Sequence, residues 1–162
     1  MKKSSNKKLT TPTSIKTIIV INYIIAFFLL LLGISLISSS AEINSNPDKA
    51  TTQFLETVKS YPSIKMTAEE ARDYVLMVAR VAPYIAAIVL ILAAIHILLG
   101  IYIKKRKAWA KMTQVIIAIL AIIYALLMVG SGNILFGIVL LLIEGWIASY
   151  LLFTIEGKTA FS

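Results

Sequence analysis

The sequence predicts an all-α integral membrane protein: a four-helix bundle with a short external helical segment between helices 1 and 2, and both termini cytoplasmic. Three observations predict it. Of the 162 residues, 59% are hydrophobic and 15% charged, and the mean hydropathy is +0.86. Soluble domains carry about 25% charged residues. Next, the chain holds four apolar runs near the ~20 residues that an α-helix needs to cross a ~30 Å hydrocarbon layer. Finally, most of the charge lies between the runs, which leaves little chain for a separate soluble domain.

Residues 1–14 form a basic N-terminus with Lys2, Lys3, Lys7 and Lys8, and Lys16 follows inside the first apolar run. That run, 15–37, is the first span. The lysine-rich start and the later "SSSAE" resemble a signal peptide, but the apolar run exceeds the usual ~7–15-residue signal core. An uncleaved anchor is expected.

Residues 38–81 form the external segment. "SSSAEINSN" reads as a polar linker. Asn46, Pro47 and Asp48 then suit an N-cap, a first helical position and a positive helix end. They begin an amphipathic helix over about 47–60, with Phe54, Leu55, Val58 and Tyr61 at helical spacing, ending before Pro62. Thr67 and Glu70 fit a capping box for a helix from 67 into the second span. Pro83 marks a kink position at the membrane surface. The apolar stripe is either a lid packed at home or a docking surface for a partner.

Span two covers 82–103, and a basic loop follows at 104–112. Span three covers 113–129, the "GSGN" turn 130–133, span four 134–153 and a tail 154–162. The stretch before span one and the 104–112 loop carry lysines and an arginine without an acid. Segment 38–81 mixes Glu42, Asp48, Glu56, Glu69, Glu70 and Asp73 with Lys49, Lys59, Lys65, Arg72 and Arg80. The positive-inside rule therefore places both termini in the cytoplasm and the protein as a multi-pass component of the cell membrane. Lys104, Lys105, Arg106, Lys107 and Lys111 are expected to set topology and contact anionic lipid headgroups. The net charge of +8 is thereby accounted for without nucleic acid, whose binding needs base-reading or aromatic partners on a basic face.

Each span carries small and polar residues on one helical face. They are Asn22, Ala26, Leu29 and Gly33; Ala82, Ala86, Ala93, His96 and Gly100; Gln114, Ala118, Ala121 and Ala125; and Gly137, Leu141, Glu144 and Ala148. In lipid, close approach at small residues and interhelical hydrogen bonds hold helices together. Gly145 and Ser149 form a second small pair, suited to span one or to another chain.

Glu144 stands near the middle of span four, where a charge costs about 2.5–3.5 kcal/mol on insertion scales. His96 is the sole histidine. Counted from span midpoints, His96 lies roughly 5 Å to the cytoplasmic side of Glu144, with Asn22 and then Gln114 deeper. Two readings follow: a proton or cation relay through Glu144 and His96, or structural glue in which Glu144 is held by His96, Tyr124 or a backbone carbonyl. The absence of cysteine excludes disulfides and thiolate chemistry. A lone histidine excludes a multi-histidine metal or haem site, and no HExxH or Ser–Lys arrangement marks an enzyme. No cofactor is expected. Trp109 suits the headgroup level, as do Tyr84 and Tyr102. Trp146 sits at mid-span.

At "GIYIKKRKAWAK", Gly100 to Lys111, the chain resembles small uncharacterised four-span membrane proteins of bacteria and archaea, in which a basic loop with a Trp-Ala pair joins spans two and three. The layout is also similar to that of claudins, although the first external loop lacks their tryptophan and paired cysteines. The expectation is a non-catalytic accessory or stabilising subunit of a larger membrane complex, with other membrane subunits as partners. The alternative is a small proton- or ion-coupled transporter or channel using Glu144 and His96.

Overall fold

The computed structural model describes residues 12–61 and 64–161. Most of the basic N-terminus and Pro62 lie outside them. Within the described residues the chain is all-α: α1 (Thr13–Ser45), α2 (Pro47–Lys59), α3 (Ala68–Lys104), α4 (Ala108–Gly130), α5 (Ile134–Phe153) and α6 (Ile155–Thr159). Four of these, α1, α3, α4 and α5, are long and apolar enough to cross a membrane. Their outward faces expose Phe28, Ile88, Leu120 and Leu142, which in lipid is the favourable side.

The chain divides into two compact units: Met1–Ile24 with His96–Ser162, and Ile25–Ile95. In the first, parts of all four long helices pack as a bundle. α4 and α5 pack as an antiparallel pair. At their contact a Cβ on Gly137 would stand 2.8 Å from the Ala125 carbonyl oxygen and 2.6 Å from a Val129 methyl carbon, so only glycine allows this approach. The small and polar stripes of this unit face inward: Asn22, His96, Gly100, Gln114, Ala118, Ala125, Gly137, Glu144 and Ala148 are all buried.

Two turns end helices in this unit with the same hydrogen-bond pattern. At α3 the Arg106 amide donates to the Ile103 carbonyl (2.9 Å) and the Lys107 amide to the Tyr102 carbonyl (3.0 Å). At α4 the Gly132 amide donates to Val129 (3.2 Å) and the Asn133 amide to Met128 (2.9 Å). Both are Schellman ends whose turning residue has positive φ. Gly132 (φ 93°) adopts it freely, whereas Arg106 (φ 57°) does so against the steric preference of an L side chain.

The second unit holds the later part of α1, α2 and the start of α3. Here the expected polar linker is helix: α1 runs on to Ser45. "SSSAEINS" contains neither proline nor glycine to break it, and the Ser45 hydroxyl donates to the Glu42 carbonyl (2.8 Å). Asn46 caps α2 by accepting from the Lys49 amide (3.2 Å), and Pro47 is the first helical residue. The Thr67–Glu70 capping box forms as its residues predict. The Glu70 carboxylate accepts from the Thr67 amide (2.7 Å) and hydroxyl (2.9 Å), and the Glu70 amide donates to the Thr67 hydroxyl oxygen (3.2 Å). The Thr67 amide, with its hydroxyl, holds this exposed carboxyl below its ordinary pKa.

α2 packs on α3 by stacking Phe54 on Tyr74, with ring centroids 5.1 Å apart. Phe54, Leu55 and Val58 are half-buried and Tyr61 is exposed. The exposed ion pairs Arg72–Asp48 (3.6 Å) and Lys49–Glu42 (3.9 Å) add little, since such pairs are worth about 0–1 kcal/mol.

Pro83 lies inside α3. A proline has no N–H, so the Ala79 carbonyl four residues earlier loses its helical donor. The Ser40 hydroxyl of α1 donates to that carbonyl at 2.7 Å, and Ser40 is buried. The helix break that proline threatens is thus repaired by a hydroxyl from the neighbouring helix, so the buried carbonyl keeps a donor.

Candidate functional site

Among the described residues, four polar side chains lie buried inside the first unit: Asn22, His96, Gln114 and Glu144. Helical spacing turns each of them inward with the alanines and glycines of its stripe. They do not share one fate. The Asn22 amide nitrogen donates to the Ile18 carbonyl of its own helix (2.9 Å), and its Oδ1 stands 2.8 Å from His96 Nδ1. An amide oxygen only accepts, so this contact puts the proton on His96 Nδ1. In its neutral form the ring would then present Nε2 as an acceptor.

Gln114 Oε1 and Glu144 Oε2 are buried without a hydrogen-bond partner among the described residues. Sequence reasoning expects His96 or Tyr124 to hold Glu144, but His96 is instead bonded to Asn22, and Tyr124 is half-exposed. The order along the bundle also differs from expectation. The Tyr150 hydroxyl lies beside Ser14, and Thr17 and Ile21 line one groove with Leu142, Ile143 and Trp146, which aligns α1 with α5; Ala125 faces Gly137, which aligns α4 with α5. By this register the Asn22–His96 pair stands about 3 Å from the level of Glu144 on the side of the 130–133 turn, and Gln114 about 6 Å from it on the other side. Midpoint counting put His96 on the opposite side of Glu144. It failed because the packed ends of these helices, not their midpoints, are in register.

At the end of the unit that carries the basic loop, several cations already have partners. The Lys111 ammonium donates to the Gly157 carbonyl (3.0 Å) and stands 5.8 Å from the centre of the Phe161 ring. It thereby ties down α6, whose Thr154 cap accepts from the Gly157 amide (2.9 Å). The Tyr150 hydroxyl donates to Glu156 (3.1 Å). Lys105 lies 5.4 Å over the Tyr102 ring, which packs on Trp109 at 4.9 Å. Lys104, Lys105 and Lys107 are exposed, and Arg106 is half-buried. Trp146, half-exposed at mid-span, stacks on Tyr150 at 5.9 Å.

Some contacts were not anticipated from the sequence. The Ser40–Ala79 bond has a readable signal in Pro83, which demands a donor from elsewhere. The Tyr150–Ser14 and Lys111–Gly157 contacts have none, because both depend on the register between distant segments. Among the described residues no group of three or more His, Asp or Glu side chains converges on a metal site.

Helix length, apolarity and bundle packing define a multi-pass integral membrane protein with helical spans. No family model, curated protein or solved structure matches the chain.

Proposed function

We propose that this protein is a non-catalytic accessory or stabilising subunit of a larger complex in the cell membrane, oriented with both termini in the cytoplasm. The observation that carries this reading is on α5. A Cβ at Gly145 would meet no atom within 4 Å, although the helix around it is bulky. Ser149, one turn on, is exposed. Small residues in spanning helices serve close helix approach, and no described residue packs within 4 Å of a Cβ at Gly145. A helix from another subunit is the natural occupant, with the half-buried Phe54, Leu55 and Val58 and the exposed Tyr61 of α2 as a second contact outside the membrane. The orientation rests on the cations of the 104–112 loop.

The test is extraction from the native membrane in mild detergent. The chain is expected in an assembly of fixed stoichiometry, and Gly145→Leu is expected to deplete it from that assembly several-fold while the chain alone stays as stable as before. A chain that purifies by itself, with Gly145→Leu neutral, overturns the reading.

The unpartnered carboxyl oxygen of Glu144 favours a second reading, a small proton- or ion-coupled transporter or channel in which Glu144 and His96 exchange the ion. Proteoliposomes would then show pH-driven flux that Glu144→Gln abolishes without loss of folded protein.

A further inference from the structure

We propose that the groove between α1 and α3 at the basic end of the first unit binds one anionic phospholipid, with its phosphate between Lys16 and Lys104 and an acyl chain against Ile19, Val20 and Tyr23. This inference does not depend on the accessory or transport reading. The groove is open, encloses about 310 Å³, and is lined by these five residues. Its two ends differ in chemistry. Lys16, near the start of α1, and Lys104, the last residue of α3, are both exposed, and neither forms an ion pair among the described residues. Two ammonium groups at the mouth of an apolar cleft are complementary to a phosphate that is anchored in the bilayer.

The floor of the groove is apolar and follows α1 into the hydrocarbon. Ile19 is buried, whereas Val20 is 53% and Tyr23 40% exposed. From Lys16 to Tyr23 the helix rises about 10 Å, enough to carry the groove from headgroup level into the acyl region. Gly100 gives the groove its shape. A Cβ there would stand 2.8 Å from the Tyr23 ring, so its absence lets the ring lie against α3 with one face open. The Tyr23 hydroxyl has no partner among the described residues and can donate to a lipid ester oxygen.

Other cations at this end are engaged differently: Lys111 holds the Gly157 carbonyl and Lys105 covers Tyr102. The acid at this end, Glu156, is bonded to the Tyr150 hydroxyl. Basic pockets between spanning helices are a known mode of anionic headgroup recognition. Free inorganic phosphate would use the lysines alone, so the apolar floor selects the lipid.

Native mass spectrometry of the full chain, titrated in micelles with dioleoyl phosphatidylglycerol or dioleoyl phosphatidylcholine, tests this. The wild type is expected to retain phosphatidylglycerol about thirtyfold more tightly, the ratio given by two lysines at about 1 kcal/mol each. The double variant Lys16→Gln/Lys104→Gln should lose that preference, and Lys105→Gln/Lys107→Gln, with the same charge loss, should keep it. Val20→Trp fills the apolar floor from a lipid-facing position, leaves both lysines in place, and should weaken phosphatidylglycerol binding severalfold. It decides the matter if the lysine variant fails to fold. Equal retention of the two lipids, equal losses in the two double variants, wild-type binding by Val20→Trp, or displacement of the lipid by millimolar inorganic phosphate would each overturn the proposal.

Discussion

α1 and α3 hold each other by hydrogen bonds, whereas α4 and α5 hold each other by the lack of a side chain. The first pair is tied at Asn22–His96 (2.8 Å) in one unit and at Ser40–Ala79 (2.7 Å) in the other, and in both ties buried polar atoms are satisfied. The second pair meets at Gly137, against the backbone of Ala125 and Val129, and the polar atoms Gln114 Oε1 and Glu144 Oε2 on the same two helices are left unpartnered. Both routes are open to helices in lipid, where apolar bulk supplies no net drive to associate. The difference teaches where spare polarity resides: a polar residue that ties two helices together is consumed by doing so, while one on helices that meet at a glycine is not needed for packing.

The largest expected effect comes from filling the glycine contact. Gly137→Leu forces a side chain into backbone that cannot retreat, and overpacking of this kind costs about 1–3 kcal/mol. The α4–α5 pair should separate at that level, which a thermal melt in detergent and disulfide trapping between introduced cysteines on the two helices would register. An unchanged melt would mean that the two helices are held by something other than this close approach.

A smaller effect is expected at the proline repair. Ser40→Ala leaves the Ala79 carbonyl without a donor, a loss of about 1–2 kcal/mol for a buried unsatisfied group. Pro83→Ala restores the missing amide, so Ser40→Ala should cost little in that background. The double-mutant cycle isolates this coupling. If Ser40→Ala costs the same with alanine at 83, the hydroxyl is not serving as the substitute donor.

These contacts also mark how far the sequence was legible. The four spans could be read because long apolar runs admit one interpretation in a membrane. The inward stripes could be read because helical periodicity is local: Ala86, Ala93, Ala118 and Ala125 are buried as their spacing requires. The end of α1 was misread because serine-rich sequence looks like a linker, while its hydroxyls in fact bond the backbone and leave the helix intact. The partner of His96 was misread because the choice between Asn22 and Glu144 depends on the register between helices. That register is fixed by contacts such as Ser14–Tyr150, which no spacing within one helix reveals.

The smallest expected effect on stability is at Glu144, and it sharpens the comparison most. If the carboxyl were structural glue within the chain, replacing it with leucine would remove a buried hydrogen bond and cost about 1–3 kcal/mol. Glu144 Oε2 has no such bond to lose among the described residues. Glu144→Leu should therefore melt no lower than the wild type, because leucine removes a buried polar atom that has no partner among the described residues. Asn22→Leu, which orphans His96, provides the contrast, because it removes one partner of a satisfied buried pair. A leucine variant that unfolds would assign Glu144 to the packing of this chain. A stable one that loses flux in proteoliposomes would assign the carboxyl to ion exchange, and a stable one that drops out of its native assembly would assign it to a contact with another subunit. Stability measured first on the isolated chain lets the later losses be attributed to function.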